Sequence, residues 1–413
     1  MTAQAGQPRG TLVQKYGGTS VATPEGRAAL RGHVIEALAD GKRVVIVVSA
    51  MGRSDAPYAT DTLLSLLDGH DAVPREADML ASCGEVVAAV VIAHELRSAG
   101  VPAMAFTGGE AGIVTDDRFG DATVLTVEPA ALLAALAADV VPVVTGFQGV
   151  TAAGEVTTLG RGGSDTSACA IGAALHAEAV EIYTDVDGVM TADPRACTGV
   201  RVLDSLQYEE LLQMARHGAK VMHAPAAEVA MDAGVPVWVR NTYSPARGTL
   251  ITDVERLSAE RRGRVATAVS HVDGIARVTI EPSPAAEPQA GMRALTRVFR
   301  AMADADVSLD MFTPCGASLV LSFAESALPD ALSVLDRIGL HYEIETGLAK
   351  VTLVGAGMHG VPGVMARTAD ALAGAGVDIL QIADSHYTIS VLVRQDCRRA
   401  ALEALHDEFA LGD

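Results

Sequence analysis

Between Thr11 and Leu250, short apolar runs alternate with helical patterns of roughly ten to twenty residues, and this alternation limits the fold more than any other feature of the sequence. The runs Thr11–Lys15, Arg43–Ser49, Val101–Phe106, Val140–Thr145, Ala179–Thr184 and Val235–Arg240 have strand length. Strands separated by helices pack as α/β layers around a largely parallel sheet, because a parallel pair needs a crossover long enough to hold a helix. The turns between them are rich in glycine.

Past Leu250 a charged connector, residues 253–264, leads into a different rhythm. Strand, helix, strand, strand, helix and strand follow one another at Ile275–Ile280, Arg293–Ala305, Val307–Phe312, Ser318–Phe323, Ser326–Ile338 and Leu340–Glu345. A second unit starts alike with Lys350–Gly355, Val361–Ala375, Val377–Ala383, Tyr387–Arg394 and Arg398–Leu411. The repeat, of about seventy residues, describes two ferredoxin-like βαββαβ sandwiches. The second unit runs out of chain before its last strand. The spare apolar segment Val265–Val272 is therefore expected to be donated to it, in an interleaved pair.

Composition narrows the class of ligand. The 413 residues exceed one ordinary domain and are 49% hydrophobic and 20% charged, without low-complexity blocks, so globular structure is expected throughout except for a disordered tail over residues 1–10. That tail lacks the apolar stretch of a signal peptide. The most apolar runs, Val44–Ala50 and Val140–Val144, fall short of the ~20 residues that span a bilayer. Five cysteines without CxxC or Cys/His spacing indicate neither a zinc site nor a disulfide framework. Reduced thiols, a cytoplasmic location and no membrane partner are expected. A net charge of −20 disfavours nucleic acid.

Three segments carry the chemistry. In Lys15-Tyr16-Gly17-Gly18-Thr19-Ser20 a lysine ends a strand beside two glycines, where backbone amides can approach phosphate oxygens. The spacing GxxxxGK[ST] is absent, so this is not a Walker loop. In Gly160-Arg161-Gly162-Gly163-Ser164-Asp165, glycines flank an arginine suited to a carboxylate, and Ser164 or Asp165 is placed to cap the following helix. Asp185 and Asp187 alternate as in a calcium loop but lack its remaining ligands, so no metal site is assigned to the protein itself. His217-Gly218-Ala219-Lys220 adds a lysine after a glycine. Each segment has a plainer reading as a structural turn; their conjunction is what counts.

The motifs KYGGTS, VVSAM, ATDTLL, SCGE, GRGGSDTSA, TDVDGVMTADPR and GAKV occur in the order seen in aspartokinases, and from Thr11 to its end the chain resembles that branch of the amino acid kinase family. The tandem modules, with VGAGMHGVPGV and ILQIADSHYTISVLV, resemble its paired ACT domains. The resemblance implies a kinase domain over 11–252 and ACT modules over 265–345 and 346–413. The stretch Met51–Leu64 most resembles the single-function, diaminopimelate-sensitive form.

The activity implied is ATP-dependent phosphorylation of the L-aspartate β-carboxylate, the first step toward lysine, threonine and methionine, with Mg²⁺ carried on the phosphates. Lys15 would contact the transferring phosphate and Asp165 would position it, as the catalytic pair. Gly17, Gly18, Thr19 and Ser20 would shape the phosphate loop. Glu85 would hold the substrate ammonium and Arg161 its α-carboxylate, with Ser49, Thr60 and Ser164 lining the pocket. Tyr183, Thr184, Asp185, Arg195 and Lys220 would face the nucleotide. No strong general base is needed, since the substrate carboxylate is ionised at neutral pH.

Regulation is implied by an amino-acid effector, whether lysine, threonine or diaminopimelate, at the ACT modules. Asp304, Ser308, Asp310, Met358, Gly360, Val361, Pro362, Gln381, Asp384 and Ser385 are its candidate contacts, and a homodimer or higher homo-oligomer is implied through the same modules. One departure stands out. Where the family carries His-Pro-Arg or Ser-Pro-Arg, this chain reads His223-Ala224-Pro225-Ala226. A related carboxylate kinase acting on another amino acid and a non-catalytic amino-acid sensor are the competing readings; the intact Lys15, Glu85, Arg161 and Asp165 speak against the sensor.

Overall fold

The computed structural model describes residues 10–67, 72–219, 221–258, 264–281, 290–315, 318–358 and 360–412. Lys220, the terminal segment 1–9 and connector residues 259–263 lie outside the described residues. The chain divides into two compact units. The first comprises residues 1–189, 202–215 and 220–262.

Its strands are β1 (Thr11–Tyr16), β2 (Arg43–Val48), β3 (Ala103–Phe106), β4 (Ile113–Thr115), β5 (Val124–Val127), β6 (Val141–Thr145), β7 (Gln148–Val150), β8 (Val156–Thr158), β9 (Ala179–Thr184), β10 (Ser205–Gln207), β11 (Val237–Asn241) and β12 (Thr249–Thr252). The helices are α1 (Gly18–Ala22), α2 (Pro24–Ala39), α3 (Thr60–Leu64), α4 (Pro74–Ser98), α5 (Ala130–Ala137), α6 (Gly163–Ala174), α7 (Tyr208–Arg216) and α8 (Ala224–Ala233). An eight-stranded sheet runs β10-β12-β11-β9-β1-β2-β6-β3, parallel except where β11 meets β12. Buried on both faces, residues 44–48 of β2 and 141–144 of β6 are unbroken apolar runs.

Two features were not anticipated from the sequence. A second sheet, β5-β4-β7-β8, is built from short strands, and the buried carboxylate of Asp78 on α4 fixes it by accepting from Gly120 N at 2.9 Å and from Thr158 N at 2.7 Å. The other feature is α4. This helix is long and apolar enough to cross a membrane by length and composition, although no single apolar run is. Ala88, Ala89, Ile92, Ala93 and Leu96 are buried against Val44, Ile46 and Val143 of the large sheet, so the apolar content of α4 serves a core.

The second unit comprises residues 190–201, 216–219 and 263–413. Its strands are β13 (Ala268–Ile280), β14 (Met311–Cys315), β15 (Ser318–Ala324), β16 (Tyr342–Val354), β17 (Gln381–Asp384) and β18 (Thr388–Arg394), and its helices are α9 (Ala290–Asp304), α10 (Leu328–Ile338), α11 (Val364–Gly374) and α12 (Arg398–Glu408). All six strands form one antiparallel sheet, β14-β15-β13-β16-β18-β17. The separate strands read from the sequence are fused into two long ones: β13 and β16 pair from Ala268↔Val354 to Ile280↔Tyr342.

Each half of that long pair has its own core. Val278, Leu321 and Phe323 pack with Val298, Met302 and Leu335 of α9 and α10, whereas Val269, Val351 and Val391 pack with Leu372 and Leu402 of α11 and α12. The first half of β13 thus takes the fourth place in the second module's sheet.

Within the span 11–252 read as the kinase domain, one loop packs with the second unit. Residues 190–201 belong to the second unit: Ala192, Ala196 and Cys197 are buried in the second module's core, Val269 N donates to Thr191 O at 2.8 Å, and Thr191 Oγ1 lies 2.9 Å from His406 Nε2. Small apolar side chains let an irregular loop fill a gap against α12, a demand invisible to strand or helix periodicity.

Candidate active site

In the large sheet β1 is flanked by β2 on one side and β9 on the other, both parallel to it. The chain leaves β1 in one direction and β9 in the opposite one. A crevice therefore opens at the carboxyl ends of these strands, where α/β sheets bind ligands.

The exit from β1 is tightly built. Gly17 N donates to Tyr183 O at 3.4 Å, and Gly52 N donates to Gly18 O at 3.0 Å. A Cβ on Gly18 would lie 2.5 Å from Ala50 O and 2.6 Å from Gly52 O, so only glycine lets the loop rest on the segment after β2. Lys15 Nζ lies 2.6 Å from Asp165 Oδ1, close enough for an ion pair though not aligned as a hydrogen bond. Both side chains are mostly buried, at 13% and 11% exposure.

Asp165 stands in the first turn of α6, and Gly162, left-handed at φ 70°, is the cap residue. Neither Ser164 nor Asp165 caps the helix: Ser164 Oγ accepts from Ser49 Oγ at 2.9 Å, and Asp165 turns to Lys15. Arg161, just before Gly162, is exposed, and Thr60 opens α3 half-buried. Gly146 backs the serine, since a Cβ there would meet Ser164 Cβ at 2.7 Å.

Glu85 of α4 is buried at 2% exposure. Its Oε1 accepts from Ala50 N at 3.0 Å, while Oε2 is buried with no partner among the described residues. Burial pushes the carboxyl up to about 7, opposed by the Ala50 amide. Glu85, Ala50, Ser49, Ser164, Asp165 and Lys15 consequently form one contiguous run.

Several expected nucleotide contacts are placed otherwise. The Tyr183 ring is 3% exposed and packs in parallel orientation against both Tyr16 at 4.7 Å and His33 at 4.4 Å, with its hydroxyl donating to Glu181 Oε2 at 3.2 Å. Strand alternation sends this side chain into the core under α2 and α4, and only its carbonyl serves the phosphate loop. Ser20 is buried too, its Oγ 2.7 Å from Thr242 Oγ1. Arg195 belongs to the second unit and pairs with Asp193 at 2.8 Å.

Thr184 ends β9 and Asp185 follows it, and Asp185 Oδ2 accepts from Arg53 Nη2 at 3.2 Å. Arg53 carried no role in the sequence reading, although it follows directly on the glycine that locks the loop. Thr19 sits half-buried within α1.

The departure at residues 223–226 is absorbed by local structure. His223 caps α8 and Pro225 falls in its first turn, where a missing amide costs little. The His223 side chain packs over Gly162: a Cβ there would lie 2.2 Å from His223 Cβ.

In the second unit the expected effector contacts scatter. Lys350, 4% exposed on β16, lies 2.5 and 2.6 Å from the two carboxylate oxygens of Asp310. Gln381 accepts from Ser322 Oγ and donates to Thr313 Oγ1 at 3.0 Å, tying β17 to β15 and β14. The Met358 side chain is buried in the second module's core. Asp304, Ser308, Val361 and Asp384 are exposed, as are Gly360 and Pro362, and Ser385 closes a turn on Thr388.

The sequence matches the amino acid kinase family over residues 10–241 and an ACT domain over residues 343–407. It is 44% identical to Aspartokinase 1 of Bacillus subtilis over 404 residues, covering 97% of this chain and 99% of that one. The crystal structure of E. coli aspartokinase III in complex with aspartate and ADP superposes with a TM-score of 0.77 at 26% identity, covering 96% of this chain and 99% of that one. Its complex with lysine and aspartate gives 0.75 at 25% identity, covering 97% and 99%. With a family match over more than half its length and a full-length relative of this similarity, the chain belongs to the amino acid kinase family and, within it, to the aspartokinases.

Proposed function

We propose that the chain transfers the γ-phosphoryl group of ATP to the β-carboxylate of L-aspartate, with Glu85 as the anchor of the substrate ammonium. The half-satisfied Glu85 carboxylate carries this reading. A buried oxygen without a partner costs free energy unless a ligand meets it, and an α-ammonium is the complement of such a group. Ser49 and Ser164 line the path from Glu85 to Lys15, and the exposed Arg161 on the same loop is free to take the α-carboxylate.

A substrate held at both ends presents its second carboxylate toward Lys15. One carboxylate oxygen bonds to the γ-phosphorus as the bond to the ADP oxygen breaks, giving 4-phospho-L-aspartate and ADP. Lys15, positioned by Asp165, meets the charge on the transferring group, and no proton need be removed. Among the described residues no three His, Cys, Asp or Glu side chains converge as metal ligands, but single carboxylates such as Asp185 suit a hard cation carried mainly by phosphates. Mg²⁺ bound in that way supplies charge neutralisation.

The second unit reads as the sensor of an amino-acid end product in the cytoplasm. Asp310, Lys350 and Gln381 offer charges and amide groups complementary to an amino acid. The exposed Phe312 and Ile382 on the edge strands β14 and β17 favour pairing with a second copy.

The test is aspartate-dependent hydroxamate formation with ATP, Mg²⁺ and hydroxylamine, with glutamate and diaminopimelate as alternative acceptors. Product with aspartate that disappears in Lys15→Ala is expected. ATP binding without turnover of aspartate would overturn the assignment in favour of another acceptor.

A further inference from the structure

We propose that Arg53 is a phosphate-neutralising residue of the nucleotide site, parked on Asp185 in this structure and transferred to the terminal phosphate of ATP on binding. The inference deepens the kinase reading and rests on it for the identity of the ligand.

Three chain segments meet at the carboxyl ends of β1, β2 and β9. Gly17 is bonded to Tyr183, and Gly18 is bonded to Gly52, backbone to backbone. Gly52 has φ 93°, so the chain turns sharply there, and Arg53 leaves from the point where the phosphate loop is locked. Its guanidinium spans to Asp185, the first residue past β9, at 3.2 Å. Arg53 therefore stands at the rim of the crevice, beside the end of β9.

Charge leaves room for a second side-chain cation beside Lys15 and the Mg²⁺ carried by the phosphates. Lys15 is already matched by Asp165 at 2.6 Å, so that pair presents little net charge to a triphosphate. The chain as a whole carries −20. Phosphoryl transfer depends on neutralising the oxygens of the transferring group, and a guanidinium on the terminal phosphate supplies part of that neutralisation.

The Arg53–Asp185 contact is suited to exchange. It uses one nitrogen, Nη2, and the two side chains are 73% and 51% exposed. Such pairs contribute little to stability, whereas a guanidinium can bind phosphate as a two-pronged fork. The plainer alternative is a surface ion pair that merely ties two loops together; it predicts no effect on ATP.

Calorimetric titration of full-length wild type, Arg53→Ala and Arg53→Lys with MgATP and MgADP separates the two, alongside steady-state kinetics. Arg53→Ala is expected to keep its thermal midpoint, to bind MgATP at least tenfold more weakly and MgADP less than threefold more weakly, and to leave KM for aspartate within twofold. Arg53→Lys should recover part of the loss. MgATP binding within twofold of wild type in Arg53→Ala, or an equal loss for MgADP, would overturn the proposal. If wild type forms no aspartyl hydroxamate, the acceptor assignment fails while the ATP and ADP titrations still decide the role of Arg53.

Discussion

The Ala50 amide donates to one oxygen of Glu85 at 3.0 Å, and the other oxygen of the same carboxylate is buried and unpartnered. The segment after β2 thereby holds this carboxylate through a single backbone bond. Glu85 is only half satisfied until a cationic ligand arrives.

That arrangement fixes a pH dependence. Burial holds Glu85 at about 7 in the folded chain against 4.5 in the unfolded one, so the native state keeps its proton longer. The resulting contribution to stability, about 3 kcal/mol by linkage, is full below the unfolded value and lost as pH rises through about 7. Urea midpoints of wild type and Glu85→Gln between pH 5 and 8 should differ in slope, the variant being flatter. Saturating aspartate should flatten the wild-type slope as well, because its ammonium favours the ionised carboxylate. KM for aspartate should rise as pH falls below 7, approaching tenfold per unit. Parallel slopes in wild type and variant would show that burial does not raise the Glu85 pKa, and a KM for aspartate unchanged in Glu85→Gln would refute the assignment of the ammonium to Glu85.

Gly18→Ala probes the phosphate loop. The new Cβ would sit 2.5 and 2.6 Å from two backbone oxygens, Ala50 O and Gly52 O, neither of which can swing aside like a side-chain tip. Overpacking of this kind costs about 1–3 kcal/mol. Since the loop can yield only by moving away from residues 50–52, KM for ATP should rise roughly tenfold or more, while the fold survives with a modestly lower Tm. ATP kinetics unchanged from wild type would mean that the Gly18 contact does not shape the nucleotide site.

What the sequence disclosed was local. A glycine beside a strand-end lysine, or a Gly-Arg-Gly-Gly run opening a helix, is written in consecutive residues, and Lys15, Ser49, Glu85, Ser164 and Asp165 indeed converge. What it hid depended on partners distant in sequence. Tyr183 follows the motif but points into a three-ring stack with Tyr16 and His33. Residues 190–201 follow β9 in sequence yet fill the core beneath α12, because Ala192, Ala196 and Cys197 are small enough to fit there. The β13 and β16 strands read as four because Asp273-Gly274 and Thr346-Gly347 look like turns; Gly274 and Gly347, at φ 67° each, are irregularities along two continuous strands.

The Lys350–Asp310 pair gives the last test. Lys350 is 4% exposed in the middle of β16, and its ammonium lies 2.5 and 2.6 Å from the two carboxylate oxygens, which come from the turn before β14. Removing one partner of such a pair is costly chiefly because the other charge is left desolvated, whereas replacing both by apolar groups of similar volume is often neutral. Asp310→Ala should lower stability by about 3 kcal/mol, and the double replacement Asp310→Leu with Lys350→Met should recover most of that. The same field reaches His217: burial first, then the Lys350 cation, hold its imidazole down at about 4. The Asp310 carboxylate acts on His217 in the opposite sense, so Lys350→Met alone should raise the His217 pKa and Asp310→Ala alone should lower it, which NMR titration can follow independently of stability. Equal destabilisation in the single and double variants, with no movement of His217, would show that the pair is a solvated contact whose charges do not depend on one another.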